Sequence, residues 1–339
     1  MMHASRGTMD LSRRSFLQST AVTLTSLMVP GQVQSAMRRL SGPVRLGLIA
    51  DLHQDIMPDG EQRLDQFLEA MSEAAPDALV QMGDFAVPSP HNQQLIKTFN
   101  DAHAHTIHVL GNHDTDGGYT TQQVQDAWGM EQPYATHDVA GLRIIVLNGN
   151  EPPSDHAGGY PSYIGPEQVA WLEGELDRDD APVVILSHQP LAGTWAIDNA
   201  EQLQQVLTRF ADRILLAING HSHIDHLLRI NGVNYFHLNS ASYVVVGRAF
   251  AHESFPPEVH AAYPKLASTC PYQEALFTTL TIDPANATLK IAGRQSQWRG
   301  PSPAELGREK HPDLINGEHI APHIRQRRIV RIKSAPAPM

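Results

Sequence analysis

Val44 to Ala50, Ala78 to Met82, Thr106 to Leu110, Val183 to Ser187 and Ile214 to Asn219 are short apolar runs rich in Val, Ile and Leu. Runs of this kind predict buried strands of a largely parallel sheet. Between the first two, Leu64, Phe67, Leu68 and Met71 recur at helical spacing and Pro76 closes the segment, which predicts a crossover helix. Gln93 to Ala104, Thr120 to Trp128, Glu167 to Leu176 and Asn199 to Phe210 carry the same helical signature, the third opened by Gly165-Pro166. Tyr134 to His137 with Leu142 to Leu147, and Leu227 to Ile230 with Val233 to Leu238, predict hairpins around Ala140-Gly141 and Asn231-Gly232. These antiparallel pairs suggest a second sheet, which Leu276 to Ile282 and Leu289 to Gly293 would extend through an Asp283-Pro284 turn. The long stretch from Gly149 to Ser162 reads as a loop at the active edge of the sheet.

The polar residues that close each apolar run change the picture. Asp51-Leu52-His53, Gly83-Asp84, Gly111-Asn112-His113-Asp114, the isolated His188 and Gly220-His221-Ser222-His223 all lie just after a predicted strand. That is the carboxyl edge of an open α/β sheet, where ligands bind. Each group alone is common, but five in register with strand ends form a joint signal.

Composition points the same way. The 339 residues carry a net charge of −11, which disfavours a general nucleic-acid or anionic-membrane binder, because both need a basic face. Nineteen His against one Cys direct any metal site toward imidazole and carboxylate donors and exclude zinc-finger readings. Cys270, being single, permits no internal disulfide.

Mixed oxygen and nitrogen donors suit Mn, Fe, Zn or Co. Two such ions, roughly 3.5–4 Å apart, clamp the attacking and leaving oxygens of a phosphoryl transfer when one anionic ligand bridges them, and a bridging water becomes hydroxide near neutral pH. Asp84, central in the order, is the natural bridge. Alternation along His221-Ser222-His223 would send its two imidazoles to different metals. His113 beside Asn112 is placed to protonate a leaving oxygen, with Asp114 to orient its ring, and Asn112 and His113 would touch substrate.

Together with Ser187-His188-Gln189-Pro190-Leu191, these motifs make the stretch from Val44 to Gly293 resemble the calcineurin-like metallophosphoesterase family. The resemblance implies an α/β four-layer α-β-β-α sandwich, two mixed sheets flanked by helices. Carried over residue by residue, it implies that Asp51, His53, Asp84 and His223 bind one metal, that Asp84, Asn112, His188 and His221 bind the other, and that His113 assists the leaving group. Within the family the chain is most similar to bacterial cyclic-nucleotide-phosphodiesterase-like members. It departs at Val87, where purple acid phosphatases carry a metal-binding Tyr, so a tyrosinate-type centre is not expected.

The expected activity is therefore a two-metal phosphohydrolase of small phosphodiesters. An exported phosphomonoesterase with the same ligands, and a non-catalytic metal or phospho-ligand binding protein, are the alternatives. Three segments are expected. Residues 1–36 resemble a twin-arginine export signal, with Arg13-Arg14 ahead of an apolar stretch from Ser19 to Val29 and small residues at Ser35-Ala36. That stretch is too short for a stable span, so the expectation is a periplasmic or otherwise exported protein whose partners are the Tat machinery and a small phosphoester, without a membrane anchor or nucleic acid. Residues 44–299 form the catalytic domain, and 300–339 a loosely attached basic tail.

Overall fold

The computed structural model describes residues 28–29, 31–308, 314 and 318–331. In chain order its regular elements are β1 (Met28–Val29), α1 (Gly31–Met37), β2 (Val44–Ile49), α2 (Gly60–Ala74), β3 (Ala78–Gln81), α3 (Gln93–Asp101), β4 (Thr106–His108), α4 (Thr121–Trp128), β5 (Ala135–Val139), β6 (Leu142–Leu147), α5 (Pro166–Asp177), β7 (Val183–Ser187), α6 (Ala200–Arg209) and β8 (Ile214–Asn219). They continue through β9 (His226–Ile230), β10 (Val233–His237), β11 (Tyr243–Val245), α7 (Pro257–Ala262), β12 (Thr269–Pro271), β13 (Thr278–Asp283), β14 (Thr288–Ile291), β15 (Arg294–Gln295), β16 (His323–Ile324) and β17 (Arg327–Arg331).

Two mixed sheets result, one ordered β1-β17-β14-β13-β2-β3-β4 and the other β5-β6-β7-β8-β10-β9. The strands expected in one parallel sheet are thus divided, with β2, β3 and β4 parallel in the first and β7 and β8 parallel in the second. Periodicity could not show this, because a strand buried on both faces looks the same in either sheet. The hairpin of β13 and β14 also extends the first sheet, not the second, through antiparallel pairing of β13 with β2.

Alternation along the strands sorts side chains into layers. In β6, Ile144 and Val146 join Leu46, Leu48, Val80 and Met82 in the core between the sheets. Ile145 and Leu147 face the other way, against Leu172 and Leu176 of α5 and Leu203 and Leu207 of α6. On the far side of the first sheet, Ile49 and Leu79 meet Phe67 and Met71 of α2, Phe99 of α3 and Trp128 of α4. The sandwich is therefore helix, sheet, sheet, helix.

The C-terminal end differs from expectation, and most of the N-terminal signal reading lies outside the described residues. Ser35-Ala36 falls within α1, where Ala36 and Met37 are buried, while Arg13-Arg14 and most of the apolar stretch lie outside the described residues. The segment after Gly300, read as a loose tail, instead supplies β17, whose Ile329 pairs with Leu289 and is 1% exposed. Burying Ile324 and Ile329 against the inter-sheet core outweighs the basic composition around them.

Candidate metal centre

All seven expected donors come together where β2, β3, β4, β7 and β8 end. Asp51, His53 and His223 form one group with ligand atoms within 4.8 Å of one another, and Asp84, His188 and His221 form a second. His223 Nε2 lies 3.3 Å from Asp51 Oδ1 and 3.2 Å from His53 Nε2. His188 Nε2 lies 3.1 Å from Asp84 Oδ2, and His221 Nδ1 is 3.3 Å from that same imidazole nitrogen. Asp84 Oδ2 is also 3.7 Å from His53 Nε2, so one carboxylate oxygen faces both groups.

This is a cation's arrangement. Imidazole nitrogens face each other and carboxylates at hydrogen-bond range in a buried pocket, which only a shared proton or a bound metal reconciles. Asn112 gives an independent sign, since its Oδ1 is buried without a hydrogen-bond partner. The donor types fit two borderline divalent ions, and the outer partners fit as well: His188 Nδ1 donates to the Met82 carbonyl at 2.8 Å and His223 Nδ1 to that of Tyr243 at 2.7 Å. These bonds fix both rings so that Nε2 is the free nitrogen.

The backbone is bent to make this happen. Asp51, His53, Asp84, His221 and His223 have φ of 53°, 51°, 51°, 63° and 50°. Left-handed non-glycine residues cost of order 1–3 kcal/mol each and concentrate at functional sites. The two imidazoles after β8 therefore diverge because the turn is coiled, not through strand alternation as expected. Two glycines allow the close approach: a Cβ on Gly83 would stand 2.5 Å from His188 Nδ1, and one on Gly111 would run into the Asp84 backbone and carboxylate.

Burial and charge set the protonation states. Burial pulls the His53 and His221 imidazoles down to about 3, which keeps them neutral and ready to donate. For the His188 and Asp84 pair, burial opposes ionisation of both, but their mutual attraction outweighs it. His188 is held above and Asp84 below its ordinary range. A divalent ion competes with a proton for these two groups.

The residues around His113 revise the expected roles. Asp114 does not orient the imidazole: its carboxylate accepts the amides of Gly111, Phe85 and Asp84 at 2.8, 2.8 and 3.2 Å, joining the two turns that carry Asp84 and Asn112. Burial and the nearby Asp84 charge push it up to about 7. The partners of His113 Nδ1 are Asp116 Oδ2 and the Tyr160 hydroxyl, each 3.0 Å away. The short helix there breaks at Asp116 (φ −57°, ψ 153°) and Gly117 (φ 79°). Tyr160, from the long loop, donates to Asp116 at 2.5 Å, and Lys265 does so at 3.2 Å. Burial raises the Asp116 carboxyl, but bonds from Tyr160, His113 and Lys265 more than offset this and hold it below the usual range. Gly117-Gly118 was the one sequence sign of a kink, and nothing local marked Lys265. Tyr243 is buried and stacks on the His53 ring at 4.9 Å, so its role is packing.

A cavity of about 330 Å³ opens beside these groups, its lining made of apolar residues such as Ile56, Phe85, Ala86 and Val87 and polar ones such as His113, Asp116, Tyr119 and Lys265. Among the described residues that line it, Lys265 is the single Lys or Arg.

Comparison with known proteins agrees with this geometry. Over 181 residues the chain is 29% identical to a cAMP/cGMP dual specificity phosphodiesterase of Mycobacterium tuberculosis, a match spanning 49% of this chain and 55% of the relative. A dimetal phosphatase from Danio rerio shares the fold at 15% identity and a TM-score of 0.52, over 76% of this chain and 99% of that one. GAP50, the anchor in the inner membrane complex of Plasmodium, aligns over 74% of this chain and 84% of its own at 13% identity and a TM-score of 0.48. The sequence profile of the calcineurin-like phosphoesterases matches residues 44–225, just over half of the chain and the whole span from Asp51 to His223 that carries the seven candidate donors. The chain belongs to the calcineurin-like phosphoesterases.

Proposed function

We propose that this protein is a two-metal phosphodiesterase acting on small diesters. The observation that carries the reading is the make-up of the cavity: candidate donors for two ions lie beside a chamber lined in part by apolar residues and holding a single lysine, itself paired with Asp116. A monoester brings a second negative charge near Asp55 and Asp116, where Lys265 is the one lining cation besides the two ions, whereas a diester brings one charge and a second ester group that the apolar lining can cover. Likeness to a cyclic-nucleotide phosphodiesterase supports the same choice.

Asp51, His53, Asp84 and His223 would hold one ion, and Asp84, Asn112, His188 and His221 the other. When bound, two such ions supply Lewis-acid charge and lower the pKa of water. The chain's own contribution is at His113. Asp116 fixes Nδ1 as the donor to its carboxylate, leaving Nε2 to deliver a proton to the departing ester oxygen. Asp114 keeps the two ligand turns in register.

The test is hydrolysis of a bis-aryl phosphate and the matching aryl monoester by protein reloaded separately with Mn, Fe, Zn and Co. Faster diester cleavage that disappears in His113→Ala is expected. A clear monoester preference would overturn the reading.

The reading extends to export by the twin-arginine route, motivated by Arg13-Arg14 and the apolar stretch after them. Replacing both arginines by lysine should leave the protein inside the cell, and finding the variant still exported would refute this.

A further inference from the structure

The turn that carries His221 and His223 holds two left-handed residues on either side of Ser222, a shape that persists only where its surroundings fix it. On the side of the other donors, the Asp51 carboxylate accepts the His221 amide at 3.1 Å and the Tyr243 carbonyl takes His223 Nδ1. The opposite side is held by the C-terminal segment. Asp225, two residues past His223 and 2% exposed, accepts from the Arg325 amide at 3.1 Å and Nε at 2.8 Å, and from Nη1 and Nη2 of Arg327 at 2.6 and 2.9 Å. Arg325 Nη2 donates to the Asp225 carbonyl at 2.8 Å as well.

Two further lines run from the same segment. Ser222 Oγ lies 3.1 Å from His237 Nδ1, and His237 Nε2 lies 3.9 Å from Glu318, whose Oε1 also accepts the Thr194 amide in the loop after His188. Asn239 donates to the carbonyls of Ala321 and His323 at 2.8 and 3.0 Å, and its neighbours Ser240 and Ser242 hold the carbonyls of Asp51 and Leu52 at 3.0 and 2.7 Å. All three loops that supply the His188, His221–His223 and Asp51–His53 donors are thus tied from behind to residues 318–327. This strap lies outside the stretch matched by the family profile.

We infer that Arg325 and Arg327, acting through Asp225, are positioning residues of the metal centre, and that the C-terminal strap sets metal affinity by fixing the turn of His221 and His223. The inference rests on the reading of those histidines as metal ligands. Loss of an outer partner of a metal ligand typically lowers affinity about 10–100-fold, because the donor must be reordered on binding.

The test measures Zn²⁺ and Mn²⁺ dissociation constants of the full chain by chelator competition, with the absorption spectrum of the Co²⁺-loaded protein as a second readout. Arg327→Gln should weaken the more loosely held ion about 10–100-fold and shift the Co²⁺ spectrum, and Arg327→Lys, which keeps a donor and the charge, should recover part of the loss. If Arg327→Gln does not fold, Arg325→Gln carries the test, since that side chain is half exposed. Dissociation constants unchanged within about twofold, together with a lowered unfolding temperature of the metal-free chain, would make the strap structural only and overturn the inference. None of these readouts needs turnover. A wild-type chain that binds two ions but cleaves no diester would count against the proposed function alone, whereas one that binds no ion would overturn the inference together with the metal centre.

Discussion

The mouth and the back of the metal centre are built in opposite ways. At the mouth, Asp116 and Lys265, from two short helices, meet Tyr160 from the long loop in a partly exposed cluster, with Tyr160 51% exposed. At the back, Asp225 is buried and its carboxylate and carbonyl accept five hydrogen bonds from two arginines. The side that must admit and release a substrate has few contacts to lose, while the side that must keep donors in place is satisfied many times over. On the proposed reading the division separates two properties: groups at the mouth would govern what happens to the ester, and groups at the centre and back whether metals stay.

The strongest way to break that division is at the point where the two meet. Asp84→Ala removes the carboxylate that faces both groups, and should abolish turnover and metal binding together, read by metal content and diester hydrolysis. Retained metal with full activity would show that the groups are not a shared site. His113→Ala should sharpen it, lowering kcat about 10²–10⁴-fold with metal content unchanged. Loss of metal in that variant would move His113 from the mouth to the centre.

A smaller effect is expected from Asp114→Ala, which leaves three buried amides without their acceptor. It should cost about 3 kcal/mol in denaturant unfolding of the metal-free chain, a loss that Asp116→Ala, at the open mouth, should not reproduce. The last effect lies away from both sides and depends on pH. His108 is buried against Phe99 and Trp128, and burial together with the charge of His137 pulls its imidazole down to about 3. The unfolded chain takes up a proton below pH 6.5 while the folded chain stays neutral until about 3. Stability from this residue is therefore complete above pH 6.5 and lost as pH falls from 6.5 toward 3, by about 1.4 kcal/mol per unit. His108→Phe should flatten that part of the stability curve, and an unchanged slope in pH-dependent unfolding would refute the assignment.

The centre was readable because each donor closes a strand, so hydrophobic runs and polar triplets announce each other. Asp51, His53, Asp84, Asn112, His188, His221 and His223 all fell where the apolar runs placed them. The mouth and back were not readable for two different reasons. Asp116 depends on a helix breaking at one residue, and Lys265 arrives from almost 150 positions downstream, so neither has a local pattern. The strap carries its apolar signal in isolated residues such as Ile324 and Ile329, set among arginines that looked like a solvated tail but are spent on Asp225. Sheet membership was hidden for a third reason, since β7 and β8 are as apolar on both faces as β2 and β3.

The candidate donors divide unevenly between the sheets, with His53 the one imidazole that follows a strand of the first. Both carboxylates and the amide follow strands of the first sheet, whereas the second sheet brings imidazoles only, His188, His221 and His223. The second half alone therefore offers no oxygen donor, and each of the two groups draws on both halves. On the proposed reading each ion's shell would be completed only when the halves close, so a folding intermediate with one sheet formed should bind metal less selectively than the finished protein.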